Sequence, residues 1–416
     1  MSSVDAGPDR QPGPAHRSVR RRKVFYIPGY DPIHPRRYRE LYRKEGAAQA
    51  EISGYSLSLS AKQGGGPYGW HVAAEIEGAA VTADVEVLVW SDIVRGSMAT
   101  SIPATYAQLV RTAWTYIASG ALRRLMRLRK GPVIAALYPV GMLLLQAVLA
   151  LLLAWGIARG TAALSGYALP GWLLGLGAGG ALLSWFKTQD SKLFAYYLMH
   201  DYAYSAASKG ANPADLEARI AEFAAHVRAA LADASLDEVL VVGHSSGAHV
   251  GISVLSDLLR GGLPEPRPAL GFLTLGQVVP MVSFLPRADR LRADLRYLSQ
   301  REELAWVDVT APGDGCAFAL CDPVAVSGVA PAGKRWPLVV SAAFTQTLSP
   351  ERWAALRWSF FRLHFQYLCA FDRPGDYDYF RITAGPLTLA GRYAGRQPSK
   401  SRIDIPVSKF TSVDAA

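Results

Sequence analysis

Val239-Leu240-Val241-Val242-Gly243-His244-Ser245-Ser246-Gly247-Ala248-His249 decides how this chain is read. A run of β-branched and aliphatic residues stops at Gly-X-Ser-X-Gly, and a helix-compatible run, Ala248 to Leu259, continues from it. The first run has the length and composition of a buried strand. The junction between them is then a sharp strand-to-helix turn that lifts the Ser245 side chain off the edge of a sheet. Such a turn is strained. Gly243 and Gly247 flank it because a Cβ at either position would clash where strand and helix approach. A plain Gly/Ser loop is the alternative, and the strand before and helix after speak against it.

Outward from this segment the chain alternates between strand-like and helix-like stretches. Lys23 to Ile27, Tyr55 to Ser60, a segment from Trp70, Val85 to Trp90, Gly271 to Leu275, Leu304 to Val309 and Leu338 to Phe344 read as strands. Asp31-Pro32 reads as a helix start. After Asn212-Pro213, Leu216, Ile220, Phe223, Val227 and Leu231 recur at helical spacing. Pro350 to Tyr367 reads as helical. Strands alternating with helices imply an α/β fold with a mostly parallel sheet covered on both faces.

The 416 residues carry a net charge of +10, which raises the question of nucleic acid. The charge distribution answers it. Arg17, Arg20, Arg21, Arg22 and Lys23 form one basic group, in a polar N-terminal stretch read as a disordered tail. Arg123, Arg124, Arg127, Arg129 and Lys130 form another, directly before a long apolar segment. A lipid bilayer is therefore the expected partner, and no zinc-finger, helix-turn-helix or RNA-recognition pattern points to nucleic acid. The three cysteines, Cys316, Cys321 and Cys369, make neither a disulfide framework nor a metal-ligand spacing, and the expectation is no metal and no organic cofactor.

Val133 to Ile157 and Ala162 to Phe186 carry no charged residue, and only Arg159 and Gly160 break the block at its centre. Each run is roughly 25 residues, enough to cross a hydrocarbon core of about 30 Å. The pair reads as a transmembrane hairpin whose basic flanks place both remaining parts of the chain in the cytoplasm. Gly175, Gly177, Gly179 and Gly180 suit close helix contact in lipid. Before the hairpin, Pro103 to Lys130 reads as helical, lying along the membrane interface or packing on the body. The expected division is a tail (1–22), a first part of the α/β domain (23–130), the hairpin (131–187), a second part (188–380) and a C-terminal extension (381–416).

A serine hydroxyl needs a base to take its proton and a carboxylate to orient that base. Of the eight histidines only His249 and His364 follow Ser245. His249 lies one helical turn beyond the serine. His364 lies after the last strand and is the expected base. Three aspartates in or after the Leu304–Val309 strand are the candidate carboxylates. Asp314, in the Pro-Gly-Asp-Gly turn beyond a strand, is preferred, with Asp322 and then Asp308 as alternatives. An oxyanion needs fixed N–H donors. The Ser246 N–H and that of Tyr30, in the Pro28-Gly29-Tyr30 loop after the first strand, are the candidates.

Gly243-His244-Ser245-Ser246-Gly247 with Asp314 and His364 in that order resembles the α/β-hydrolase superfamily in a lipase- or esterase-like form, from Lys23 to about Tyr379. The resemblance implies an eight-stranded-type sheet and acyl transfer through a covalent serine intermediate. The chain departs from the family in lacking a His-Gly pair in the oxyanion loop and in carrying the hairpin. The expected function is a membrane-anchored serine hydrolase cleaving carboxylic esters, including lipid or acyl esters. A thioesterase, an acyltransferase and a non-catalytic membrane scaffold on the same fold are the alternatives.

Overall fold

In the computed structural model, residues 18–98 and 101–414 are described. Residues 1–17, most of the expected tail, lie outside them. Eight strands form one sheet: β1 (Arg21–Ile27), β2 (Ser56–Ala61), β3 (Gly69–Ile76), β4 (Ala79–Val87), β5 (Glu238–His244), β6 (Ala269–Leu275), β7 (Ala305–Thr310) and β8 (Leu338–Ser341). Their order is β2-β3-β4-β1-β5-β6-β7-β8. From β4 to β8 all neighbours are parallel, whereas β2-β3-β4 is an antiparallel meander at one edge. Glu77 and Gly78, both at positive φ, close the β3–β4 hairpin in the turn geometry that matches strand twist.

Burial explains the order. Val24 to Ile27 are buried on both faces of β1, so this strand needs cover on two sides and sits centrally between β4 and β5. β2 leaves every second residue exposed and occupies the edge. Side chains alternate between two cores. Val24, Tyr26, Leu240 and Val242 enter one, with Tyr38, Tyr42, Tyr367 and Phe380. Phe25, Ile27, Val239 and Val241 enter the other. There they meet Leu216, Ile220, Phe223, Val227 and Leu231, the five periodic residues of the Ala214–Leu231 helix.

Two expectations near the N-terminus are corrected. Residues 18–22 are not tail: Val19 is buried, and Arg22 is buried in a 2.6 Å ion pair with Glu238 while donating to the carbonyls of Gly385 and Leu387. The helix expected at Asp31-Pro32 begins at Arg36, because His34 precedes a proline and is biased away from helical backbone. Asp31 instead accepts from the Ile33 N–H and the Tyr38 hydroxyl and pairs with Arg37.

The apolar block forms two helices, Lys130–Ser165 and Ala168–Thr188, both long and apolar enough to cross a membrane. The chain turns at Gly166 (φ 75°) rather than at Arg159-Gly160, so the first helix runs on for 36 residues. Close approach comes from small residues one turn apart. Gly171, Gly175 and Gly179 face Ala158, Ala154 and Ala150, and a Cβ on Gly175 would lie 2.3 Å from the Ala154 carbonyl oxygen. Gly177 and Gly180 face open space and make no such contact. Leu144, Leu145, Leu151, Leu152 and Trp155 are exposed along the hairpin.

The Pro103 to Lys130 stretch is two helices, Ile102–Ala118 and Ala121–Leu128, broken at Gly120. Of the two expected roles, packing on the body is the one seen. Leu109, Tyr116, Leu125 and Leu128 pack inward, while Val110, Trp114, Ile117 and Met126 are exposed. Arg124 and Arg129 are tied to the carbonyls of Val407 and Ala319, and Arg123, Arg127 and Lys130 are exposed.

Candidate active site

The Val239–His249 segment folds as its residues require. β5 ends at His244, and a helix starts at Gly247. Ser245 between them has φ 55°, a left-handed backbone that a non-glycine residue adopts only under constraint. A Cβ on Gly247 would stand 2.1 Å from the Ile27 carbonyl oxygen, and one on Gly243 2.7 Å from that of Gly247. Both glycines are therefore steric necessities of the turn. The turn is pinned by the Ser245 N–H donating to the Leu275 carbonyl at 2.9 Å.

His364 ends the short helix Phe360–His364, and Asp314 lies in a turn beyond β7, closed by its N–H on the Ala311 carbonyl at 2.9 Å. Fifty residues apart, they meet: His364 Nδ1 donates to Asp314 Oδ2 at 2.8 Å. The same oxygen accepts from the Tyr367 hydroxyl at 3.0 Å, and Oδ1 accepts from the Cys316 N–H at 2.8 Å. Burial alone would raise the Asp314 pKa. The charge of His364 and these three donors outweigh it and hold the carboxyl below its ordinary value. Space for the pair comes from Gly276 (φ 54°), where a Cβ would stand 2.7 Å from the Tyr367 ring and 3.1 Å from His364.

Ser245, Ser246, Tyr30 and His364 line one cavity of about 90 Å³ at the carboxyl ends of the parallel strands. Open α/β sheets bind ligands at that end. Gly29 lies against the serine, so close that a Cβ there would be 3.0 Å from Ser245 Cβ. Among the described residues neither the Tyr30 nor the Ser246 N–H donates to a protein acceptor. The Tyr30 loop is held from behind by its hydroxyl on Ser97 (2.6 Å) and by the Tyr197 hydroxyl on its carbonyl. No direct hydrogen bond joins Ser245 to His364. Base–nucleophile bonds commonly close only around substrate.

The alternative acids are engaged elsewhere. Asp322 caps the Pro323–Val326 helix through the Val324 and Ala325 N–H groups and pairs with Lys334 at 2.6 Å. Asp308, inside β7, accepts from the Thr274 hydroxyl at 2.6 Å, and burial pushes its pKa up to about 8. Asp322 and Lys334 line a wider hollow of about 850 Å³, bordered by the first residues of β6, β7 and β8 and containing neither Ser245 nor His364.

Asp314, Cys316 and His364 bring ligand atoms within 4.8 Å of one another, the spacing of a metal site. The chemistry of the donors does not fit an ion. His364 Nδ1 and both Asp314 oxygens are already hydrogen-bonded, and burial followed by the Asp314 charge keeps the Cys316 thiol protonated.

Two residues escaped the sequence. His244 sits inside the quoted motif and donates Nε2–H to the main-chain carbonyl of His364 at 3.0 Å, their rings 4.9 Å apart. Burial, then the charge of His364, lowers its pKa to about 3, so it is a neutral prop. Asp201 lines the cavity with no hydrogen-bond or ion-pair partner among the described residues, and burial raises its pKa to about 7, moderated by His364. Its signal was an acid within the aromatic run Tyr196, Tyr197, His200 and Tyr202.

No family model matches this chain, and neither a curated protein nor a solved structure does.

Proposed function

We propose that this chain is a membrane-anchored serine hydrolase of α/β-hydrolase type that cleaves carboxylic esters. The observation that carries the reading is a positive-φ serine between strand and helix, opening on the same cavity as a buried Asp–His pair. The parallel order β4-β1-β5-β6-β7-β8, with the serine directly after a central strand, is compatible with that fold.

In this reading, Asp314 holds the His364 proton on Nδ1 and leaves Nε2 free as the base. Ser245 Oγ bonds to the acyl carbon as its proton passes to Nε2 and the carbonyl π pair moves onto oxygen. The Ser246 and Tyr30 N–H groups receive that oxyanion. Collapse breaks the bond to the alkoxy oxygen, which leaves as alcohol with the proton from His364. Water repeats the sequence on the acyl-enzyme and releases the acid. The two apolar helices anchor the domain, and the basic flanks favour a cytoplasmic site.

Hydrolysis of p-nitrophenyl acetate by the full-length protein and by Ser245→Ala tests the proposal. The variant is expected at background, and equal rates would refute the assignment.

A further inference from the structure

A second cavity, of about 120 Å³, lies beside the first. Its lining is almost wholly apolar and comes from five helical segments: Ile102–Ala118, Ala121–Leu128, the start of the long apolar helix, Ala195–Ala207 and Val279–Ser283. Tyr116, Tyr202 and Met281 border both cavities, so the two share a wall. The Tyr116 hydroxyl is turned into that wall, donating to the Met281 carbonyl at 2.9 Å. At the far side the lining includes Ile117 (62% exposed) and Leu137 (44%), beside the exposed Trp114 and the first turns of the apolar hairpin. The cavity thus runs from the wall of the Ser245 chamber towards the part of the surface richest in exposed apolar side chains.

We infer that this cavity is the acyl-chain site of a lipid ester that enters sideways from the bilayer. The inference rests on the reading of Ser245 as nucleophile. The occupant follows from what the lining offers. A polar or charged group would lose its hydration there without replacement, whereas a hydrocarbon chain gains at every methylene. The route past Ile117 and Leu137 needs no passage through water. The ester carbonyl would lie at Ser245 and the chain in this cavity once the Tyr116–Met281 contact parts to let it through, so chain length is selected by a site formed largely from the helices flanking and beginning the hairpin.

The test compares p-nitrophenyl acetate, butyrate and octanoate on full-length protein in lipid nanodiscs. The octanoate-to-acetate ratio of kcat/KM should exceed unity by about fourfold per methylene until the cavity is filled. Ala136→Phe, from the long apolar helix, and independently Ala113→Phe, from the helix opposite, should each cut that ratio tenfold or more. A fluorophosphonate probe reacting at Ser245 in both variants shows that they are folded. If wild type cleaves acetate while the filled variants keep the octanoate preference, the cavity assignment falls and the catalytic serine stands. If wild type cleaves none of the three esters and takes no probe, the catalytic reading falls and the acyl site with it.

Discussion

Replacing Asp314 by asparagine tests the geometry most finely, because both oxygens of the carboxylate accept hydrogen bonds. Oδ2 accepts from His364 and Tyr367, and Oδ1 from the Cys316 N–H. An amide has one acceptor end, so one of two conflicts is unavoidable. With its NH₂ towards His364, the imidazole must place its proton on Nε2 and cannot act as base. With its NH₂ towards Cys316, two buried donors confront each other, costing about 1–3 kcal/mol. In the first arrangement the Tyr367 hydroxyl can rotate to accept from the NH₂, whereas in the second the Cys316 N–H cannot turn away, so the variant is expected to fold with the wrong imidazole tautomer. The loss in kcat/KM for p-nitrophenyl acetate should be about 10³- to 10⁴-fold, or about 4–5.5 kcal/mol of transition-state stabilisation. The pH dependence of stability carries a second signature. A carboxyl whose folded pKa is depressed contributes stability above its unfolded pKa and loses it as pH falls through the folded value. Wild type should show that acid-side loss and the asparagine variant should not. A variant within threefold of wild-type kcat/KM, with an unchanged thermal midpoint, would refute the argument.

Asp201→Asn should remove an ionisation near 7 from the pH profile of kcat/KM: above that pH the wild-type carboxylate supports the imidazolium that forms in the transition state, and an unchanged profile would count against it. Gly175→Leu should destabilise the hairpin by about 1–3 kcal/mol in detergent unfolding, whereas Gly177→Leu, facing open space, should change little; equal effects would contradict the packing. Arg22→Leu leaves Glu238 buried without its partner and should cost about 3–5 kcal/mol in chemical denaturation. A reporter fused to the C-terminus should be active only in the cytoplasm, and activity on the other side would reverse the orientation.

What the sequence made legible was local. The strand–serine–helix turn, the buried face of Ala214–Leu231 and the uncharged runs are encoded by neighbours within a few turns. Asp314 stood out from Asp308 and Asp322 because a turn just past a strand end leaves a carboxylate free, whereas Asp308 is spent inside β7 and Asp322 on a helix start. Other features depend on distant partners. The central place of β1 comes from pairing with β4 and β5, the latter more than 200 residues away, and the same pairing draws Arg20, Arg21 and Arg22 out of the expected tail. The roles of His244, Tyr367 and Gly276 exist only because residues 360–368 fold back over the ends of β5, β6 and β7. Gly171 escaped notice because its contact, Ala158, became visible only once the turn was placed at Gly166.

The central claim is that Ser245 is a nucleophile activated by His364 and Asp314. Incubating the full-length protein with a fluorophosphonate and locating the adduct by peptide mass spectrometry tests it directly. The account predicts one adduct, on Ser245, absent from Ser245→Ala and strongly slowed in His364→Ala. A folded wild-type protein that takes no label at Ser245, or takes it equally fast without His364, would contradict it.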